Sequence, residues 1–212
     1  MSRRGAAAMF RAVALAGAAA LALLVSRPAQ ARVVDLYARA TAGGVTGWGT
    51  TKNTPDFFDS TRGPGVGFDL GLKLLFVDLS TSFLQVLSGS GTSGTLVQLL
   101  LGGAVDVPLG SARLADGEPV QVLQPKLAGG FGFGTPGAAK APFNDAQISA
   151  KGIVVDAILG YSYSLDPLVA VGAQATFGYH YFFGGDVVNG SESHSSGYHV
   201  VALATVTFHV GL

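Results

Sequence analysis

Three histidines crowd one stretch of this chain. His180, His194 and His199 are accompanied by Asp186 and Glu192 and by serines at 191, 193 and 195. Imidazole and carboxylate are ordinary zinc ligands, and serine beside histidine is the raw material of nucleophilic catalysis. Neither chemistry finds its full pattern. No H-E-x-x-H or other helical zinc spacing is present. The set His194-Ser195-Ser196 is followed by no acidic residue anywhere downstream that could orient a base. Solvated histidines at a rim are therefore the expectation, and no catalytic, cofactor-binding or metal-binding residue is assigned. Glycine-rich Gly129-Gly130-Phe131-Gly132-Phe133-Gly134 is followed by no helical pattern, so it is not a phosphate cradle.

The elements that would carry these residues follow from composition and period. Among 212 residues, 49% are hydrophobic, only 12% are charged, and 13 bases balance 13 acids. A soluble domain carries about twice that charged fraction, so apolar surroundings are implied. The absence of cysteine excludes disulfides, thiolate metal sites and a cysteine nucleophile. Without any basic run, nucleic acid has no footprint.

Residues 1–31 combine Arg3, Arg4 and Arg11, an apolar run from Ala12 to Val25, and Ala29-Gln30-Ala31. This is the three-part pattern of a Sec-type signal peptide, and it is too short to span a bilayer. Cleavage after Ala31 would leave 32–212 as one domain with nine bases against thirteen acids.

Beyond it, segments alternate apolar and polar residues with period two, the period of a strand with one greasy face. Val200, Ala202, Ala204, Val206, Phe208, Val210 and Leu212 alternate with His199, Thr205, Thr207, His209 and Gly211. Val66, Phe68, Leu70, Leu72 and Leu74 alternate with Gly67, Asp69, Gly71 and Lys73, and Leu36, Ala38, Ala40 and Ala42 with Asp35, Tyr37, Arg39 and Thr41. With 77–87, 96–107, 120–134, 152–163 and 167–183 this makes eight strands. Segment 77–87 is the least regular, and Pro125 suggests a bulge.

Long connectors at 47–64, 88–95, 135–151 and 184–196 alternate with turns near Phe76-Val77, at 108–119 and at Ser164-Leu165-Asp166-Pro167. Aromatics collect beside the long loops (Trp48, Phe68, Phe131, Phe133, Tyr179, Tyr181, Tyr198) and at the opposite ends (Phe76, Tyr161, Tyr163, Phe208). Long loops against short turns and two aromatic belts are the marks of a membrane barrel.

These features resemble the small bacterial outer-membrane β-barrel proteins, the class with OmpA-like, OmpX-like and OmpW-like barrels. The resemblance implies an all-β, eight-stranded antiparallel up-and-down transmembrane barrel. It also implies outer-membrane lipids and lipopolysaccharide as surroundings, a monomer, and recognition of the C-terminal strand by the assembly machinery, although Leu212 stands where such strands usually end in Phe or Trp. Neither a peptidoglycan-binding segment after the last strand nor a cofactor is expected.

With the polar face inward, Asp35, Arg39, Asp69, Lys73, Asp106, Lys126 and Asp156 gather in a lumen only wide enough for side chains. An ionic plug is the expected content. The expected role is presentation of surface loops, with a narrow OmpW-like channel for small or apolar solutes as the alternative and a lipid A-modifying enzyme behind it. The Gly-Tyr pairs at 160–161, 178–179 and 197–198 read as glycines covered by cross-strand aromatics, and 135–151 as a loop open to an external partner.

Overall fold

The computed structural model describes residues 34–52, 62–87, 94–136, 150–183 and 194–211. The eight expected strands are all present: β1 (Val34–Lys52), β2 (Gly63–Leu74), β3 (Val77–Val86), β4 (Gly94–Ala104), β6 (Gln121–Pro136), β7 (Ala150–Ser164), β8 (Val169–Phe183) and β9 (His194–Gly211). A two-residue strand, β5 (Val107–Pro108), pairs with β6 at the edge of the wall. Each long strand pairs antiparallel with its neighbours; β1 joins β9, and β4 joins β6, so the sheet closes. A closed sheet leaves no unpaired edge, the condition for a strand wall in hydrocarbon.

The pairing fixes the barrel's dimensions. Followed from Tyr37 through Gly71, Ser80, Leu100, Gly130, Val154, His180 and Gly197, the partners return to β1 at Gly49, twelve residues along. At about 3.3 Å per residue and 4.8 Å between strands, that stagger over eight strands tilts them by about 45°.

Parity sorts the side chains as the alternation requires. Leu36, Leu70, Leu99, Leu101, Leu127, Val155, Leu159, Val206 and Phe208 lie on the outside, together with every belt aromatic named above except Tyr198, which is half-buried among other rings. Tyr198 sits 6.1 Å from Trp48, 5.7 Å from Phe177 and 5.5 Å from Tyr179, ring centre to ring centre. Asp69, Lys73, Asp156, Thr205 and Thr207 are buried inside.

Several local expectations need correction. Segment 77–87 is a regular strand in continuous register from Val77 to Val86. β6 runs unbroken through Pro125, which pairs with Leu159; its carbonyl accepts from the Val105 N–H at 3.1 Å. The connectors at 47–64 and 184–196 are shorter than expected, because β1 continues to Lys52 and β9 begins at His194. The first turn is Leu75-Phe76, with Leu75 left-handed at φ 55°, a conformation that a branched side chain adopts at a cost of roughly 1–2 kcal/mol. Residues 108–119 do not form a plain turn: Arg113 bridges Pro119 beyond β5. At the third turn Asp166 accepts from the N–H groups of Leu168 (2.7 Å) and Val169 (2.8 Å). The partner loop is shorter than expected, since β6 runs to Pro136 and β7 begins at Ala150; its residues 137–149, the signal-peptide reading, Asp186, Glu192, Ser191, Ser193 and Leu212 lie outside the described residues.

Candidate functional site: a lumen in two halves

Inward side chains divide the lumen into two chemically distinct halves. Toward the short turns it is ionic. Arg39 ion-pairs with Asp69 at 3.9 Å, donates to Gln174 at 2.6 Å and Thr207 at 3.1 Å, and stacks 5.1 Å from the Tyr37 ring. Lys73 bonds to Asp106, and Lys126 to Asp78; Lys126 also donates to Ser80 at 2.8 Å, and Gln124 to Asp106 at 2.9 Å. The Tyr37 hydroxyl donates to Asp78 at 3.0 Å, and His209 contacts Asp35 at 2.9 Å. Buried charge is tolerable only when paired and hydrogen-bonded, and this half satisfies that rule. A cavity of about 80 Å³ threads between these groups and reaches Leu96, Leu100, Asp156 and His199.

Toward the long loops the lumen is apolar. Val45, Leu84, Val86, Leu96, Leu100, Ala128, Val154, Phe182, Val201 and Leu203 form one cluster across the barrel. Val86 and Val154 are 0% exposed and Leu96 1%. The expected ionic plug thus accounts for only half of the lumen. The other half is a hydrophobic seal.

The histidines meet at that seal. His180 and His199 are 0% and 1% exposed, so they are not solvated rim residues. Their Nδ1 atoms lie 3.3 Å apart. His199 Nε2 lies 3.0 Å from Asp156, which also accepts from Gln98 at 3.3 Å, and the His180 ring stacks 5.0 Å from Phe182. These contacts run as a chain and do not converge: among the described residues no three His, Asp or Glu side chains could share a metal ion. His194 stacks 5.8 Å from the exposed ring of Tyr181, whereas Ser195 is buried on the other face of β9. Adjacent in sequence, they are not a base and its nucleophile.

A sequence signal for this cluster existed. Gly-Tyr-His occurs twice, at 178–180 and 197–199, and the two copies pair antiparallel: Gly178 with His199, Tyr179 with Tyr198, His180 with Gly197. Each glycine therefore lies inside, opposite an imidazole, and is not covered by an outer aromatic. A Cβ on Gly178 would lie 2.2 Å from Asp156 Oδ1 and 2.3 Å from the His199 ring. Where an aromatic does cover a glycine it is inside the lumen: a Cβ on Gly71 would meet the Tyr37 ring at 2.2 Å. Sequence reading also missed Asp78, because its segment had no clear register, and the inward aliphatics, because alternation vanishes where both faces are apolar.

No family model matches the chain, and no curated protein matches it in sequence. Solved structures do match in shape. Neisserial surface protein A is 13% identical, with 82% of this chain and 96% of that one covered and a TM-score of 0.50. The chain has the fold of the small outer-membrane barrels. The N-terminal β-barrel domain of Pseudomonas aeruginosa OprF (14% identical, 83% and 97% covered, TM-score 0.47) and the outer membrane protein OprG of the same organism (10%, 85% and 98%, 0.44) are further matches. At such identities the likeness shows the fold alone.

Proposed function

We propose that this chain is a non-enzymatic outer-membrane barrel whose lumen is closed by its own side chains and whose role is to present the four long connectors at the cell surface. The short turns would then face the periplasm. The outward apolar band between two aromatic belts supports residence in a bilayer, because so large an apolar surface needs a cover. The observation that carries the closed lumen is the buried apolar cluster of Val86, Leu96, Val154 and Phe182 above the ionic half.

Planar-bilayer recording of the refolded full chain near neutral pH tests it. Silence is the expected record; steady discrete conductance would overturn the closed lumen and favour a narrow channel. Residence is tested separately by fractionation and by gel mobility before and after boiling. Recovery in the outer-membrane pellet with heat-dependent mobility is expected, whereas a soluble barrel would be found in the periplasmic fraction. Leu70→Arg, on the outward face, should destabilise the membrane form by about 2–4 kcal/mol.

A further inference from the structure

We propose that the first and third turns are membrane anchors, seated in the lipid interface on the turn side and not in water. The inference rests on the bilayer residence proposed above and adds a depth for the turn end. Tight turns in water favour Gly, Pro, Asn, Asp and Ser, whose shapes suit the bend and whose surfaces suit the solvent. The turn between β2 and β3 has Leu75 and Phe76 instead, and the third turn places Leu165 and Leu168 on either side of Asp166-Pro167. Leu75 (54%), Phe76 (60%), Leu165 (57%) and Leu168 (59%) are as exposed as Leu101 (59%) on the outward wall. Leu75 also holds its left-handed φ of 55°, a conformation that Gly or Asn adopts with less strain. Strain kept at an exposed apolar position points to surroundings that the leucine side chain suits.

The backbone of both turns is suited to an apolar medium, where an unpaired polar group is costly. The Phe76 carbonyl accepts from the Ala104 N–H at 2.8 Å. In the third turn the Leu165 N–H donates to the Val169 carbonyl at 2.9 Å, and the Leu168 carbonyl accepts from the His209 N–H at 2.8 Å. Asp166 turns its carboxylate back onto the Leu168 and Val169 N–H groups, so the charge of this turn is engaged with its own backbone. The tips are continuous with exposed Leu74 and Val77 at the facing ends of β2 and β3, and with exposed Tyr163 near the end of β7. One lipid layer therefore covers wall and tips together. The second connection differs: Gly110, Ser111, Arg113 and Asp116 are exposed there, a surface suited to water. Of the three connections on this side, that hairpin alone reaches solvent.

Trp48 is the one tryptophan of the chain, so Trp48→Phe gives a background in which a single new tryptophan reports its own depth. In that background Phe76→Trp and Leu165→Trp mark the two tips, Leu99→Trp the outward wall and Ser111→Trp the polar hairpin. Each refolded full-length variant is first checked for the barrel form by heat-dependent gel mobility, and Leu168→Trp serves for the third turn if Leu165→Trp does not reach it. Fluorescence is then read in phosphatidylcholine vesicles whose acyl chains carry bromine near the glycerol backbone, and in plain vesicles with iodide on both sides. Emission from both tips should fall in the brominated vesicles and hold in iodide, and Ser111→Trp should do the reverse. A tip quenched by iodide while Leu99→Trp responds to bromine overturns the anchor at that turn and leaves bilayer residence standing. If Leu99→Trp itself ignores the brominated lipid, the residence reading fails and both anchors fail with it.

Discussion

The same eight strands enclose an ionic half-lumen toward the turns and an apolar one toward the long loops, and the two halves exclude solutes by different means. In the ionic half, charges cancel in pairs, and at Asp106, whose side chain is 36% exposed, water reaches one of them. In the apolar half, among the described residues, His199 contacts Asp156 at 1% and 2% side-chain exposure beside the aliphatic cluster. Pairs that water can reach are screened and replaceable, whereas a sealed pair is expensive to leave incomplete. The difference teaches that the lumen's charge census says little about where closure resides. Closure resides in the residues with the least chemistry.

The strongest way to break this contrast is to put an unpaired charge in the seal. Val154→Asp should cost about 3–5 kcal/mol and abolish the heat-resistant barrel form, because it buries a new carboxylate among the aliphatic side chains of the seal. The gel mobility of the unboiled variant measures it. Leu96→Ala leaves the charge pattern alone and removes packing; a loss of about 2–5 kcal/mol is expected from transfer and cavity together. Urea titration of the detergent-folded barrel reads that loss, and a value near zero would mean that the seal is loosely packed.

Glycine offers a sharper and smaller test. Gly178→Ala drives a methyl against Asp156 and His199 and should destabilise by about 1–3 kcal/mol, the usual result of overpacking. Gly44→Ala, whose added Cβ meets nothing within 4 Å, should leave the same urea midpoint unchanged.

How much of this was legible in the sequence follows from the physics of alternation. Period two reports a wall with unlike faces, so β9 and the outward face of β2 could be read residue by residue, and Asp35, Arg39, Asp69 and Lys73 could be placed inside. The same signal is blind where both faces are apolar, as around Leu96, Leu100 and Val154, and the seal lies there. His180 and His199 were expected at a solvated rim and are buried, because burial depends on what the other strands contribute at the same height. The paired Gly-Tyr-His copies carried that information, since two lumenal imidazoles in one hairpin need glycine opposite each of them.

The smallest expected effect gives the most direct comparison of the halves, since it applies one chemical change twice. Asp106→Asn removes a carboxylate that is 36% exposed and contacts the buried Lys73. The substituted amide keeps an oxygen as an acceptor for Lys73, and the lost charge was one that water already screened, so a loss of about 1 kcal/mol is expected. Asp156→Asn keeps an oxygen for Gln98 and His199 but removes the charge where water does not compete, and about 1–3 kcal/mol is expected from weakening charge-assisted bonds. Both are measured as urea midpoints of folded barrels in the same detergent, so the wall contributes equally and cancels in the difference. Equal losses at the two sites would mean that water reaches Asp156 as readily as Asp106, and the seal above it would have to be permeable.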